Sequence, residues 1–250
     1  MRSARGFAGV ILAIGLLVAA CGASSAGQNP SGLGSGTNPV ATGSGGGLAP
    51  GLASNLDALT SYQFTESMAD QGSAGSGQPV PSADGEVGIS GTVVNRPTRS
   101  LSISAGGALY VIVGSQAWTS LDGTSWTAMD PTTSTLTDFL PAGFYATWFD
   151  AYAAGFKVAG DESKNGVQCV HYKGDSSLGS LYQGAAGASA SFQADLWVAK
   201  DGNYPVSGVY GFSASSGSQG AGFGYSFDIT HVNDPSNTVA PPTDVLAIPT

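Results

Sequence analysis

The sequence predicts an α+β domain whose scaffold is one long, curved antiparallel sheet with helices packed on one side. Three observations predict it. Segments that alternate apolar and polar residues recur through most of the chain, as strands with one buried face must. Turn dipeptides separate them: Asp122-Gly123, Asn165-Gly166 and Asp201-Gly202 each stand between two such segments. Helical spacing is confined to one stretch before the strands and to inserts between the middle hairpins.

Taken in order, Ala53 to Tyr62 reads as a short helix, with Leu52, Leu56 and Leu59 at helical spacing. Tyr62 to Met68 alternates and begins the sheet, and residues 71 to 82 are a Gly/Ser/Pro loop. Gly85 to Val94 alternates again. Arg99 to Ser104 and Leu109 to Gly114 flank Gly106-Gly107, and Gln116 to Met129 folds as a hairpin about Asp122-Gly123. In Pro131 to Tyr152 the period changes: Leu136, Phe139 and Leu140, then Phe144, Trp148 and Tyr152, recur at three and four, which predicts two short helices parted near Pro141. Phe156 to Glu162 and Val167 to Lys173 form a hairpin about Asn165-Gly166. Ser176 to Ala190 is Ala/Gly-rich and reads as a weak helix. Phe192 to Ala199 and Pro205 to Ser213 pair about Asp201-Gly202, and Gly222 to His231 closes the domain with Phe223, Tyr225, Phe227 and Ile229 on one face. A sheet of this length must curl or be covered, and its concave face is a natural apolar cavity.

The N-terminus carries a separate message. Arg2 and Arg5 are the only charges before residue 57, and the apolar run from Phe7 to Ala20 is too short to span a membrane. A basic start, a short apolar core and small residues at its end describe a secretory signal peptide, residues 1–20. Val18-Ala19-Ala20-Cys21 resembles the bacterial lipobox, which implies that Cys21 is acylated and becomes the mature N-terminus. More than one acyl chain is what stable anchoring requires. The alternative is an ordinary signal peptide cut nearby, with Cys21 incidental. Residues 21–50 hold no charge and no apolar periodicity. They cannot bury enough surface to offset ordering entropy, so they read as a Gly/Ser-rich tether with a reach of about 30 Å. Residues 51–235 are left as one domain, and 236–250, with three prolines, as an irregular tail.

Charge narrows the partners. Without Arg2 and Arg5 there are 6 basic and 17 acidic residues, a net charge of −11. That argues against nucleic acid and against electrostatic docking on anionic lipid. The membrane link must then come from the acyl anchor, with the domain on the extracytoplasmic side. Cys21 and Cys169 are the only cysteines, so an acylated Cys21 leaves Cys169 a lone thiol.

Ser61-Tyr62-Gln63-Phe64, Gly91-Thr92-Val93-Val94 with Pro97, and Tyr110 to Trp118 form the first half of an ordered series of strand and turn patterns. Asp122-Gly123 with Trp126, Gly166-Val167 through Gly174, and Ala194-Asp195-Leu196-Trp197-Val198 with Asp201-Gly202 and Pro205-Val206 complete it. In order and spacing this series resembles the LolA-like superfamily, and within it the LppX/LprG type of anchored lipoprotein, over about residues 52 to 235. The resemblance implies a half-open β-barrel capped by helices, and hydrophobic cargo, such as acyl chains or acylated partners, in its cavity. The chain departs from the pattern in its Gly-rich insert around 71 to 77 and in Gly/Ser-rich 211 to 224.

Catalytic signatures are missing from the sequence. No serine sits in a GxSxG elbow and no SxxK occurs. No phosphate-binding glycine loop, CxxC, HxxxH or DxDxDG loop occurs either, so neither cofactor nor metal is expected. Cys169 and His171 share a face of one strand, either as a thiol–imidazole pair or as packing. The small-residue environment that the resemblance implies at 169 favours packing. Asp195 is expected on the face opposite to Phe192, Leu196 and Val198. Phe144, Tyr145, Trp148, Phe149, Tyr152 and Phe156 crowd into thirteen positions, either to bury a helix on the sheet or to line a lid over an apolar ligand.

Candidate cavity or lid residues are Leu109, Val111, Phe144, Trp148, Tyr152, Leu196, Val198, Phe223, Tyr225 and Phe227. A one-residue error of register would invert the choice of face. The leading reading is a monomeric, non-enzymatic binder or carrier of a lipid or other hydrophobic ligand. A sensor or interaction module that binds an envelope protein is the alternative, and a surface hydrolase is the third.

Overall fold

The computed structural model describes residues 48, 51–70, 86–130, 140–143, 149–174, 189–216 and 219–246. The expected signal peptide, Cys21, the tether apart from Leu48, the 71–82 loop, most of the helical stretch from Pro131 to Tyr152, and the weak helix from Ser176 up to residue 188 lie outside them. Leu48 corrects the tether's bound: it is buried in the core and its N–H donates to Ala153 O at 3.2 Å, and Ser189 and Ala190 open a strand rather than end a helix.

Twelve strands form one sheet: β1 (Ser61–Asp70), β2 (Glu86–Val94), β3 (Ser100–Ala105), β4 (Ala108–Val113), β5 (Gln116–Ser120), β6 (Trp126–Met129), β7 (Phe156–Lys164), β8 (Val167–Gly174), β9 (Ser189–Ala199), β10 (Pro205–Ser216), β11 (Gln219–Thr230) and β12 (Val245–Leu246). Their spatial order is β12-β6-β5-β4-β3-β2-β1-β11-β10-β9-β8-β7. Two antiparallel meanders, β1 to β6 and β7 to β11, are thus joined side by side through β1 and β11. The sheet is open, because β7 and β12 each have one neighbour. No described helix is long and apolar enough to cross a membrane.

Local chemistry sets the hairpins. Gly106 and Gly107 both have positive φ and close β3 onto β4 in two residues, which L side chains rarely permit. Asn165-Gly166 does the same between β7 and β8, with φ of 51° and 78°. At the β5–β6 turn Asp122 accepts from the Thr124 and Ser125 backbone N–H groups at 2.8 and 2.7 Å. Those bonds hold its carboxyl well below the usual carboxylate range. This is the hairpin expected about Asp122-Gly123, with Trp118 opposite Ala128.

Helix α1 (Leu52–Ala58) buries Leu52 and Leu56. Its C-terminal end is tied down by the Asn95 side chain, which donates to Leu56 O at 3.1 Å, beside the Leu59 N–H, and to Leu59 O at 3.0 Å. The other described helical pieces are a turn at 141–143 and a 3₁₀ segment, Asp150–Gly155.

In Gly/Ser-rich 211 to 224 the described residues, 211–216 and 219–224, are paired backbone: Gly211 lies opposite Gly224, and Ser216 opposite Gln219. Ladder hydrogen bonds need no side chain, so small residues can extend a hairpin whose neighbours hold it. The tail is not irregular throughout. Asn237 is buried and donates to Ser61 Oγ at 3.0 Å and His231 O at 2.6 Å, while its Oδ1 accepts from Gln63 Nε2 at 3.1 Å. Beyond it, β12 pairs parallel to β6.

Candidate functional site

Side chains alternate across a strand, so the register assigns every residue to a face. The β1 residues Tyr62, Phe64, Glu66 and Met68 look to one side, here the inner face. Opposite them are Val93, Gly91 and Ile89 on β2, and Ile229, Phe227 and Tyr225 on β11. Most of the buried apolar cluster lies on this face.

One row across the sheet summarises it. From β7 to β4 it reads Val158, Tyr172, Leu196, Gly208, Phe227, Glu66, Ile89, Ala105, Ala108. Eight of these nine positions are apolar or tyrosine, and Glu66 is the one charge. Glu66 is 2% exposed, and neither carboxyl oxygen meets a hydrogen-bond partner of good geometry among the described residues. The Tyr225 hydroxyl is directed toward it, which lowers the carboxyl pKa, but desolvation outweighs this and pushes it from about 4.5 to about 8. Burial also raises the Tyr62 and Tyr225 phenols above their ordinary value.

The aromatic connection reaches the same face. β6 and β7 lie near opposite ends of the strand order, and described residues of the chain between them reach the middle of the sheet. Leu140, Phe149 and Phe156 are buried along this path. The Phe149 ring meets Phe227 edge-on at 6.1 Å and Phe156 at 5.6 Å. Gly208 makes the approach feasible, because a Cβ there would stand 2.4 Å from the Phe227 ring and 3.1 Å from the Phe149 ring. Gly91 acts likewise opposite Phe64, where a Cβ would stand 2.3 Å from Ser102 O.

The structure groups Leu196, Val198, Tyr225 and Phe227 on the inner face. Leu109 and Val111 do not join them. Their neighbours Tyr110 and Ile112 pair with the inward-facing Ile103 and Leu101, so Leu109 and Val111 look outward, with Val111 opposite Trp118. β4 is apolar at every position from Ala108 to Val113 except for the Tyr110 hydroxyl, so alternation could not reveal its inner side. Tyr152 lies in the 3₁₀ segment, and Phe223 pairs with Asp70 and Phe212 through its backbone; the side chains of both lie outside the described residues. Phe144 and Trp148 lie wholly outside them. Phe149, expected in the aromatic cluster, joins this face, whereas Glu66 was missed as a site residue. The Tyr-x-Phe-x-Glu-x-Met alternation on β1 already placed a carboxylate at a core-facing position.

The outer face of β7, β8 and β9 carries a polar cluster. His171 Nδ1 lies 2.9 Å from Glu162 Oε1, and its Nε2 lies 2.8 Å from Asp195 Oδ1. The imidazole stacks on Trp197 at 4.6 Å, and the Trp197 indole N–H donates to Glu162. Lys173 and Gln193 reach Asp195 at 3.7 and 3.1 Å, and Lys164 lies 4.7 Å from the Trp197 ring centroid. The carboxylates meet opposite ring nitrogens, so the three groups do not converge on one point, and no metal-holding cluster occurs among the described residues. Cys169 shares this face, but its thiol donates to Val167 O at 3.3 Å and burial pushes its pKa up. A protonated thiol is a poor nucleophile. Asp195 faces away from Leu196 and Val198, as alternation predicts.

No family model matches this chain, and no curated protein matches its sequence. Several solved structures do. It is similar to the lipoprotein LppX of Mycobacterium tuberculosis, at 18% identity and a TM-score of 0.39, over 74% of this chain and 97% of that one. It is similar to LprF of Mycobacterium bovis, at 14% identity and a TM-score of 0.40, over 79% and 99%. A LolA superfamily protein of Nitrosomonas europaea matches at 11% identity and a TM-score of 0.22, over 71% and 91%. These are the kinds of protein that the strand and turn series resembles. At such scores the likeness decides nothing about ligand or activity.

Proposed function

We propose that this chain is a lipid-anchored extracytoplasmic protein that binds or carries a lipid or other hydrophobic ligand against the inner face of its sheet. The observation that carries the reading is the inner row: nine strands present one nearly unbroken apolar surface, and Phe149 of the β6–β7 connection packs on it. The margin of that surface at Ala105, Ala108 and Tyr110 is only partly buried, which offers a way in. The lipobox-like Val18-Ala19-Ala20-Cys21 supports the anchor, and the acidic balance leaves acylation as the route to the membrane.

The test uses full-length protein with Cys21→Ser, exported by a bacterial host and purified without detergent, so that any bound molecule is not exchanged. Native mass spectrometry before and after organic extraction is expected to show a defined adduct that extracts as an acylated molecule. A clean apo mass, with no uptake of added lipid, overturns the carrier reading and leaves the interaction module.

A further inference from the structure

Glu66 is hard to account for as a structural residue. A carboxyl set among Phe227, Ile89 and Met68, without a hydrogen-bond partner of good geometry, costs folding free energy that a leucine would not. No described lysine, arginine or histidine forms an ion pair with it, so it does not serve a buried salt bridge. Such a group is retained where a ligand completes it. Its position suits that role. On one side the row continues through Phe227 and Gly208 under the Phe149 ring. On the other it continues through Ile89 to Ala105 and Ala108, the smallest apolar side chains on the row and its partly exposed end.

We infer that Glu66, with the Tyr225 hydroxyl beside it, is the polar anchor of the ligand site, and that the ligand is an uncharged acyl ester carrying a free hydroxyl. The inference rests on the carrier reading and names the chemistry of its ligand. A neutral carboxyl offers one O–H donor and one carbonyl acceptor. An ester carbonyl takes the first and a hydroxyl gives to the second, while the acyl chain lies over the apolar row. A cationic amphiphile would instead require the ionised carboxylate, and the apolar neighbours Phe227, Ile89 and Met68 offer that charge no hydrogen-bond donor besides the Tyr225 hydroxyl.

The experiment measures binding of monooleoylglycerol and of hexadecane to full-length Cys21→Ser protein, by displacement of a fluorescent apolar probe, at about pH 6 and about pH 9.5. The expected result is a preference for monooleoylglycerol that falls about tenfold at the higher pH, the worth of one buried hydrogen bond. Glu66→Gln, which keeps a donor and an acceptor, should hold the preference at both pH values. Glu66→Leu should lose it at pH 6, with near-ultraviolet circular dichroism confirming the fold. If Glu66→Leu keeps the preference, or if oleylamine binds more tightly than monooleoylglycerol at pH 6, the Glu66 assignment is overturned while the carrier reading stands. If neither monooleoylglycerol nor hexadecane displaces the probe, or the probe itself does not bind, the carrier reading falls and the assignment falls with it.

Discussion

Glu66 couples stability to pH in a direction that follows from its burial. Its pKa is raised in the fold, from about 4.5 to about 8, so the folded state holds a proton that the unfolded chain releases across that interval. The stability it confers is therefore fullest below pH 4.5, is lost as pH rises through about 8, and is level above that. The loss is of order 5 kcal/mol if the whole shift is realised. Urea melts of the wild type between pH 5 and 9 should show this decline, and Glu66→Gln should flatten most of it. An equal slope in both proteins would mean that the carboxyl is ionised throughout. Asn237 is a second single-residue case. It satisfies Ser61, Gln63 and the His231 carbonyl at once, so Asn237→Ala should cost about 1–3 kcal/mol by leaving them unpaired. A midpoint unchanged in urea would show that water replaces it without loss.

At the scale of elements, β10 and β11 carry the close approach that brings the β6–β7 connection down onto the sheet. Gly208→Ala puts a methyl group where the Phe227 ring now stands, with Phe149 behind it, so neither ring can yield freely. The expected cost is about 1–3 kcal/mol, read as a lower urea midpoint, together with a changed near-ultraviolet aromatic signal. Gly224 on the paired strand makes the control, since a Cβ there meets nothing within 4 Å. The β7 edge shows how an open sheet protects itself. Lys157, Asp161, Glu162 and Lys164 line it, and the register shifts between Val158 and Gly160, so a foreign strand would meet charge and a bulge. These hairpins were legible because turn chemistry is local. The face of β4 was not, because Leu109-Tyr110-Val111-Ile112 is apolar on both sides and only its pairing to Leu101 and Ile103 tells them apart.

For the whole molecule the anchor is the prediction that matters first. Metabolic labelling with a clickable palmitate analogue should mark the wild-type protein in the membrane fraction, and Cys21→Ser should abolish the label. Wild-type protein found soluble would mean that Cys21 is incidental. Beyond the anchor, the architecture follows from a topology in which strands near opposite edges are consecutive in sequence. Of the chain joining β6 to β7, the described Phe149 packs on the inner face, against Phe227.

By itself the sequence determined the acidic balance, the strands and their turns, because each depends on composition or on residues adjacent in the chain. It also placed Asp195 opposite Leu196 and put Glu66 in phase with Phe64, since alternation is a local property of a strand. Only the tertiary structure decided which faces meet. Pairing β1 with β11 set Glu66 beside Phe227, and pairing β7, β8 and β9 set His171 between Glu162 and Asp195. Phe227 lies 161 positions from Glu66 and Asp195 lies 24 from His171, beyond what turn or period can report, whereas Glu162 lies nine from His171 across the Asn165-Gly166 hairpin. A contact between strands is fixed by register, and register is a collective outcome of burying one face of the whole sheet.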